Sequence, residues 1–275
     1  MMVNIKSDDL VLEVGSGDFP SVFSDCLVDK HPSDNFQRNK DIHIDKRPFI
    51  VADAQKLPFK DKAFDYYIAS NILPYVDDPE VFFCEMMRVS PRGVIIAISE
   101  IFERIRDIAP HKWYVNIAKG ELILKKKESP DRQFGKLFHI LCEEDKYFRK
   151  FINKHWFLFN LTYPWETSIN YKIIKPYEKA IDLEDAEVVR GLLNDKRRKI
   201  IQAINLMVPS QFKNWILSNR IKLKRKKTRK IDLNAILACP ACKGDLNIYT
   251  KMIVCRNCKR EYPIKNNIPY LLVNE

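Results

Sequence analysis

No stretch of this chain approaches the roughly 18 consecutive apolar residues that a membrane-spanning helix needs. The opening residues, Met1-Met2-Val3-Asn4-Ile5-Lys6, also lack the apolar core of a secretory signal. Both absences set the expectation of a cytoplasmic protein. No internal repeat is visible, which argues against a solenoid or propeller. Acidic residues are missing locally: residues 213–230 hold nine basic side chains and no acid. What is plentiful is core-forming sequence. Of 275 residues, 46% are hydrophobic, too many for wholesale disorder, and the length fits one medium domain plus a small one.

The net charge of +11 is unevenly spread. Residues 1–100 carry 11 Lys/Arg against 17 Asp/Glu, and the remainder carries 36 against 19. A basic region of that size fits an anionic partner: nucleic acid, phospholipid head groups or a phosphorylated substrate. Of seven cysteines, Cys26, Cys84 and Cys142 stand alone, while Cys239/Cys242 and Cys255/Cys258 form two close pairs. In a reducing compartment that pattern favours a metal over disulfides.

The first hundred residues alternate short apolar runs with polar stretches. Leu10–Val14, Cys26–Asp29, Phe49–Asp53, Phe64–Ser70 and Gly93–Ser99 read as strands. Pro79–Val89 reads as a helix, with Val81, Phe82, Met86 and Val89 at helical spacing. Continuous apolar strands separated by helices imply an α/β fold with a parallel sheet covered on both faces. Trp113–Lys127 reads as a β-hairpin with Gly120 in its turn. Residues 134–165 hold ten aromatics; Leu137, Phe138, Leu141, Phe148, Phe151 and Ile152 fit amphipathic helices. That segment is either core or a lid over an acceptor pocket. Ser168–Ile174 reads as one more strand and Glu184–Met207 as a helix. The expected domains are therefore 1–210, a basic linker over 211–230, and a cysteine-bearing unit over 231–275.

The segment Val11-Leu12-Glu13-Val14-Gly15-Ser16-Gly17-Asp18 ends an apolar strand in Gly-x-Gly. Such a turn lets backbone approach a ligand at the carboxyl edge of a parallel sheet. Asp29 ends the second strand, where a carboxylate can accept both ribose hydroxyl protons. Asp53 ends the third, followed by Ala54 where an adenine edge would lie. A dinucleotide fingerprint needs a third glycine, and Pro20 stands there instead. No phosphate-cradling Lys-Ser/Thr follows. A ribose-binding acid without a pyrophosphate cradle fits S-adenosylmethionine (SAM) better than NAD.

Leu12-Glu13-Val14-Gly15-Ser16-Gly17 resembles motif I of class I SAM methyltransferases. Val51-Ala52-Asp53-Ala54-Gln55-Lys56-Leu57-Pro58-Phe59, Phe64-Asp65, Ile72-Leu73 and Val76-Asp77-Asp78-Pro79 resemble their small-molecule, type-11 branch. The resemblance covers about residues 10–100. It implies a Rossmann-like sheet and a cofactor site of Glu13, Gly15, Gly17, Asp29, Asp53 and Ala54, with Ser70 and Asn71 near the methyl donor. Two departures stand out. Only about eight residues separate Gly17 from the second strand, so the usual first helix shrinks to a turn. Where many relatives read Ser-His-x-Leu-Glu-His, this chain reads Ser70-Asn71-Ile72-Leu73-Pro74-Tyr75, without either histidine. His111 is the expected general base, set against the plainer reading of a loop histidine. His139 and His155 read as packing residues, and His31 and His43 as shaping the cofactor entrance.

Cys239-x-x-Cys242 and Cys255-x-x-Cys258 have the spacing of two zinc knuckles. Four thiolates close the coordination sphere, so a Zn2+ held there would be structural. A unit of about 45 residues has too small a core to fold well alone. Ile236–Leu246, Tyr262-Pro263-Ile264 and Ile268–Val273 resemble the small zinc-ribbon activator subunit of tRNA, rRNA and release-factor methyltransferases. That resemblance implies an intramolecular ribbon–methyltransferase contact. The basic run 213–230 reads as a solvated tether, a peripheral membrane contact or an RNA contact. For the acceptor, a small-molecule, saccharide or lipid-linked glycan reading stands beside tRNA, rRNA or a translation protein. A third alternative is a non-catalytic scaffold that binds another methyltransferase.

Overall fold

A computed structural model describes residues 4–33, 41–128, 135–193 and 231–273. The basic run 213–230 and the later part of the helix expected over 184–207 lie outside the described residues. The chain divides into two units. One comprises Met1–Ile95, Pro164–Ile169 and Lys227–Glu275; the other comprises Ile96–Tyr163 and Asn170–Lys226.

In the first unit, the short apolar runs form strands buried along their length: β1 (Val11–Val14), β2 (Cys26–Asp29), β3 (Phe49–Ala52) and β4 (Tyr66–Ser70). β1 pairs in parallel with β2 and β4, and β2 pairs in parallel with β3. β5 (Arg92–Ile98) follows β4 in the sheet. Parallel strands need crossovers, and α1 (Pro79–Val89) supplies one. Its start is well specified: Pro79 sits in the first turn, and the Asp78 carboxylate accepts the Glu80 and Val81 amides. Phe82, Phe83, Met86 and Val89 are fully buried, while Val81 lies exposed on the opposite side. No helix stands between β1 and β2, as the short spacing requires.

The ribbon belongs to this unit. α7 (Leu233–Ile236) leads into β10 (Leu246–Ile248), β11 (Met252–Cys255), β12 (Glu261–Lys265) and β13 (Ile268–Leu271), paired as successive antiparallel neighbours. β13 then pairs in parallel with β3, Tyr270 opposite Val51 and Leu271 opposite Ala52. The sheet thus runs β10-β11-β12-β13-β3-β2-β1-β4-β5. Leu27, Phe49 and Val51 form a core with Ile42, Ile268, Tyr270 and Leu272 around that junction.

The second unit is built on β6 (Trp113–Ala118), β7 (Glu121–Lys126) and β9 (Tyr171–Ile174). β6 and β7 make the expected hairpin, turning at Lys119 (φ 51°) and Gly120 (φ 82°). β9 joins β7 in parallel. Its helices are α2 (Glu100–Arg106), α3 (Gly135–Glu144), α4 (Lys146–Lys154), α5 (Trp156–Phe159) and α6 (Ala186–Leu193). Ile98, Phe102, Ile152 and Phe159 form a core here. Helical spacing holds through Phe159, but the aromatic segment ends as a strand. In β8 (Asn160–Glu166), Leu161, Tyr163 and Trp165 alternate inward at period two.

Candidate functional site

The carboxyl ends of β1, β2 and β3 bring the expected cofactor residues together. Gly15 (φ 75°) and Gly17 (φ 55°) take left-handed backbone conformations that L side chains rarely adopt. A Cβ on Gly15 would stand 3.0 Å from the Ile72 Cβ, so space is short as well. The Gly15 amide donates to the Val28 carbonyl at 2.8 Å, pinning the loop to β2. Asp29 accepts the Gly17 amide at 3.1 Å on one oxygen and the His31 amide at 3.0 Å on the other. The ribose-type acid and the glycine turn are therefore one hydrogen-bonded assembly.

Glu13 faces a different set of groups. It is 2% exposed, and its carboxylate accepts the Ser21 amide and the Ser24 hydroxyl. Burial pushes its pKa up, against those two hydrogen bonds and the nearby Arg47 charge. It braces the segment that replaces the missing helix.

Asp53 accepts the Gln55 amide at 2.8 Å and pairs with Lys30 at 2.7 Å. Lys30, directly after the ribose-type acid, is a functional candidate that the sequence reading missed. Its signal was a basic residue following the strand-end carboxylate. Gln55 carries the order onward: its side-chain oxygen accepts the Asp77 and Asp78 amides at 2.7 and 3.1 Å. Ala54 is buried beside them. Ser70 ends β4, next to β1, and Asn71 follows in the left-handed region (φ 55°). Asparagine tolerates that region better than most side chains.

These groups fit SAM chemically. Strand-end carboxylates accept ribose hydroxyls and an exocyclic amine, and two Cβ-free positions give backbone access. SAM, when bound, supplies an electrophilic methyl group on a sulfonium.

His111 belongs to the second unit. It is 6% exposed, with Nδ1 2.6 Å from a Glu103 carboxylate oxygen. Glu103 also accepts Lys127 at 2.5 Å and the Ile108 amide at 3.1 Å, and Lys127 reaches Asp107 at 2.9 Å. Next to it, Glu100 pairs with Lys125 at 2.9 Å and with Arg104. Buried charges survive only when paired in this way. His139 Nδ1 lies 2.8 Å from the Arg106 guanidinium, and the His155 ring sits tilted by 48° against Phe151 with centroids 4.7 Å apart.

The four ribbon cysteines converge. Their sulfurs all lie within 4.8 Å of one another, with Cys242–Cys255 at 3.4 Å and Cys239–Cys258 at 3.7 Å. Tetrahedral Zn–S bonds of about 2.3 Å put sulfurs about 3.8 Å apart, so the set fits Zn2+. The Arg260 backbone amide, followed by its side chain, brings the Cys258 thiol down to about 6, toward the thiolate a metal requires. Left-handed Lys243 and Lys259 shape the two knuckles.

The first knuckle also reaches the cofactor-side loop. Lys243 Nζ lies 2.9 Å from Glu85 and donates to the Leu57 carbonyl at 3.0 Å, while Glu85 accepts the Leu57 amide at 2.7 Å. The Ala238 amide donates to the Pro58 carbonyl at 3.0 Å, and the Lys60 amide to the Ile236 carbonyl at 2.9 Å. The ribbon therefore grips residues 57–60, directly after Asp53–Lys56.

Residues 26–98 match the family described as a methyltransferase domain, and residues 230–267 match the family described as Trm112p-like protein. A UPF0434 protein of Baumannia cicadellinicola is 44% identical over 45 residues, covering 16% of this chain and 83% of that protein. One from Hahella chejuensis is 47% identical over 45 residues, covering 16% and 75%. Among solved structures, a SAM-dependent methyltransferase from Thermotoga maritima, described as a possible histamine N-methyltransferase, aligns at 23% identity and a TM-score of 0.26. That alignment covers 33% of this chain and 44% of that one, so the chain spans less than half its length. The complex of the Haloferax volcanii Trm112 methyltransferase activator with a methyltransferase aligns at 15% identity and a TM-score of 0.35, covering 60% of this chain and 85% of that one. Among the described residues no helix is long and apolar enough to cross a membrane. The chain thus joins a SAM-dependent methyltransferase domain, on a Rossmann-like class I sheet, to a C-terminal Trm112p-like domain.

Proposed function

We propose that this chain is a methyltransferase with a built-in, zinc-stabilised activator ribbon. The observation that carries the reading is the hydrogen-bonded assembly of Gly17, Asp29, Lys30 and Asp53 at successive strand ends. In it, Asp29 binds the ribose hydroxyls, Asp53 with Ala54 meets the adenine edge, and the Gly15–Gly17 turn admits the rest of the cofactor. Glu13 and Lys30 act as positioning residues. Ser70 and Asn71 lie toward the methyl donor. Methyl transfer is an in-line displacement, so the protein's main task is to orient the acceptor.

His111 is the proposed base. The Glu103 carboxylate, 2.6 Å from Nδ1, orients the ring and favours the tautomer with its proton there. His111→Asn should lower kcat by about 100-fold with SAM affinity unchanged. If instead melting falls while kcat per folded molecule holds, the histidine is a packing residue only.

The acceptor we favour is a small molecule, saccharide or lipid-linked glycan, on the type-11 residues of 51–79. The Trm112p-like match favours a second reading, a tRNA, rRNA or translation-protein acceptor. Calorimetric titration of zinc-loaded protein with SAM and S-adenosylhomocysteine tests the core of the proposal. Binding should weaken at least tenfold, about 1.4 kcal/mol, in Asp29→Ala. No binding by the folded wild type would make the chain a scaffold rather than an enzyme. Methyl incorporation into glycan and RNA fractions, with and without RNase, then separates the two acceptors.

A further inference from the structure

The hairpin of α3 to α5 carries a surface that the methyl-transfer site does not use. Leu137, Ile140, Tyr147, Phe151 and Phe157 are all exposed within it, Tyr147 by 72%. They are five of the fourteen large exposed hydrophobics among the described residues. Single exposed apolar side chains are ordinary, but a concentration on three consecutive short helices marks an interaction surface.

The pattern on α4 shows what the surface would meet. At 100° per residue, Phe148 and Ile152 share the face that packs inward, Ile152 into the core with Phe102 and Phe159. Lys146, Lys150 and Lys154 form a row on the opposite side, joined by Arg149, and α4 holds no acid. Tyr147 and Phe151 run between these two rows. An apolar seam bordered by lysines is the arrangement of a helix lying in the plane of a bilayer interface. The rings enter the acyl boundary, and the lysine stems reach back to phosphate. The acids of this hairpin are confined to its turn, where Asp145 is spent capping α4 and Glu143 lies 3.4 Å from His139. Glu144 is the remaining one there, also exposed. RNA fits the pattern less well, because Leu137 and Ile140 offer bases no ring to stack on.

We propose that the α3–α5 surface docks this protein on the face of an anionic membrane, with Tyr147 and Phe151 at the acyl boundary and Lys146, Lys150 and Lys154 against lipid phosphates. The inference stands apart from the methyl-transfer reading. The test is co-sedimentation of the full, zinc-loaded chain with vesicles of phosphatidylglycerol and phosphatidylcholine, against vesicles of phosphatidylcholine alone. The protein should partition onto the anionic vesicles at least tenfold more strongly, and added salt should weaken that binding. Lys146→Glu/Lys150→Glu, at two exposed positions of α4, should cut partitioning at least tenfold without changing the melting temperature. Tyr147→Ser/Phe151→Ser should do the same; if it misfolds by circular dichroism, the lysine variant decides alone. The proposal is overturned by absence of vesicle binding, by equal binding to neutral vesicles, or by full binding in the lysine variant. Binding to a single-stranded RNA probe without vesicle binding overturns it in favour of a nucleic-acid surface.

Discussion

At the residue scale, the proposed cofactor site rests on side chains and bare backbone that each do one physical job. Gly15 combines a left-handed φ with a Cβ position 3.0 Å from Ile72. Gly15→Ala therefore adds conformational strain of about 1–2 kcal/mol and displaces Ile72. It should weaken SAM binding at least tenfold in the same titration, with a smaller fall in melting temperature. Unchanged SAM affinity would place the cofactor away from this turn. Gly15, Gly17, Asp29 and Asp53 were legible because strand ends and glycine turns are local patterns. Lys30 was not, because its value comes from reaching Asp53 at the end of the neighbouring strand, a proximity the sequence does not record. His111 was legible as a residue, but its partner Glu103, and Glu103's own partner Lys127, lie on α2 and just past β7.

At the element scale, tight packing and charge separate two kinds of vulnerable position. A Cβ on Gly93, in β5, would stand 2.4 Å from the Tyr67 carbonyl oxygen, which is backbone and cannot step aside. Gly120 has open space around it, but a φ of 82°. Gly93→Ala should cost about 3 kcal/mol or prevent folding, whereas Gly120→Ala should cost about 1 kcal/mol. Equal losses in urea titrations would contradict this. The junction of ribbon and α1 is an electrostatic case. Burial favours the neutral Glu85 acid, but hydrogen bonds from Arg88 and Lys243 outweigh it and hold the carboxyl below its ordinary value. Lys243 itself is drawn down by burial, with Glu85 opposing and Arg88 adding to the shift, so permanently charged Arg88 is the firmer partner. A depressed acid stabilises the fold fully above its unfolded value, about 4.3, and stops doing so as pH falls through the lower folded value. The melting-temperature gap between wild type and Glu85→Gln should therefore be widest near neutrality and close below about pH 4. A gap independent of pH would mean that Gln fails by shape rather than charge.

At the scale of the whole molecule, the parallel strands and the four-cysteine spacing were readable, because both are short-range periodic signals. The continuation of the sheet into the ribbon was not. It depends on complementarity between Phe49–Ala52 and Ile268–Leu271, segments far apart in the chain whose local patterns only say "strand". With Zn2+ held by the four cysteines, that junction would make the metal a condition for the methyltransferase domain as well as for the ribbon. If Zn2+ leaves, β10–β13 lose the site that closes their fold. The β3 edge then loses its partner, and Leu27, Phe49 and Val51 lose the cover of Ile268, Tyr270 and Leu272. An unpaired apolar edge strand is a template for aggregation. Stripping zinc with a chelator should lower the melting temperature by on the order of 10 °C. It should also produce soluble aggregates by light scattering and weaken SAM binding, since residues 57–60 are held by the ribbon. Readdition of zinc before aggregation should restore all three. Cys255→Ser should reproduce the stripped state and resist rescue by zinc. Melting and SAM binding that survive complete loss of metal would show that the β13–β3 junction holds the ribbon without it.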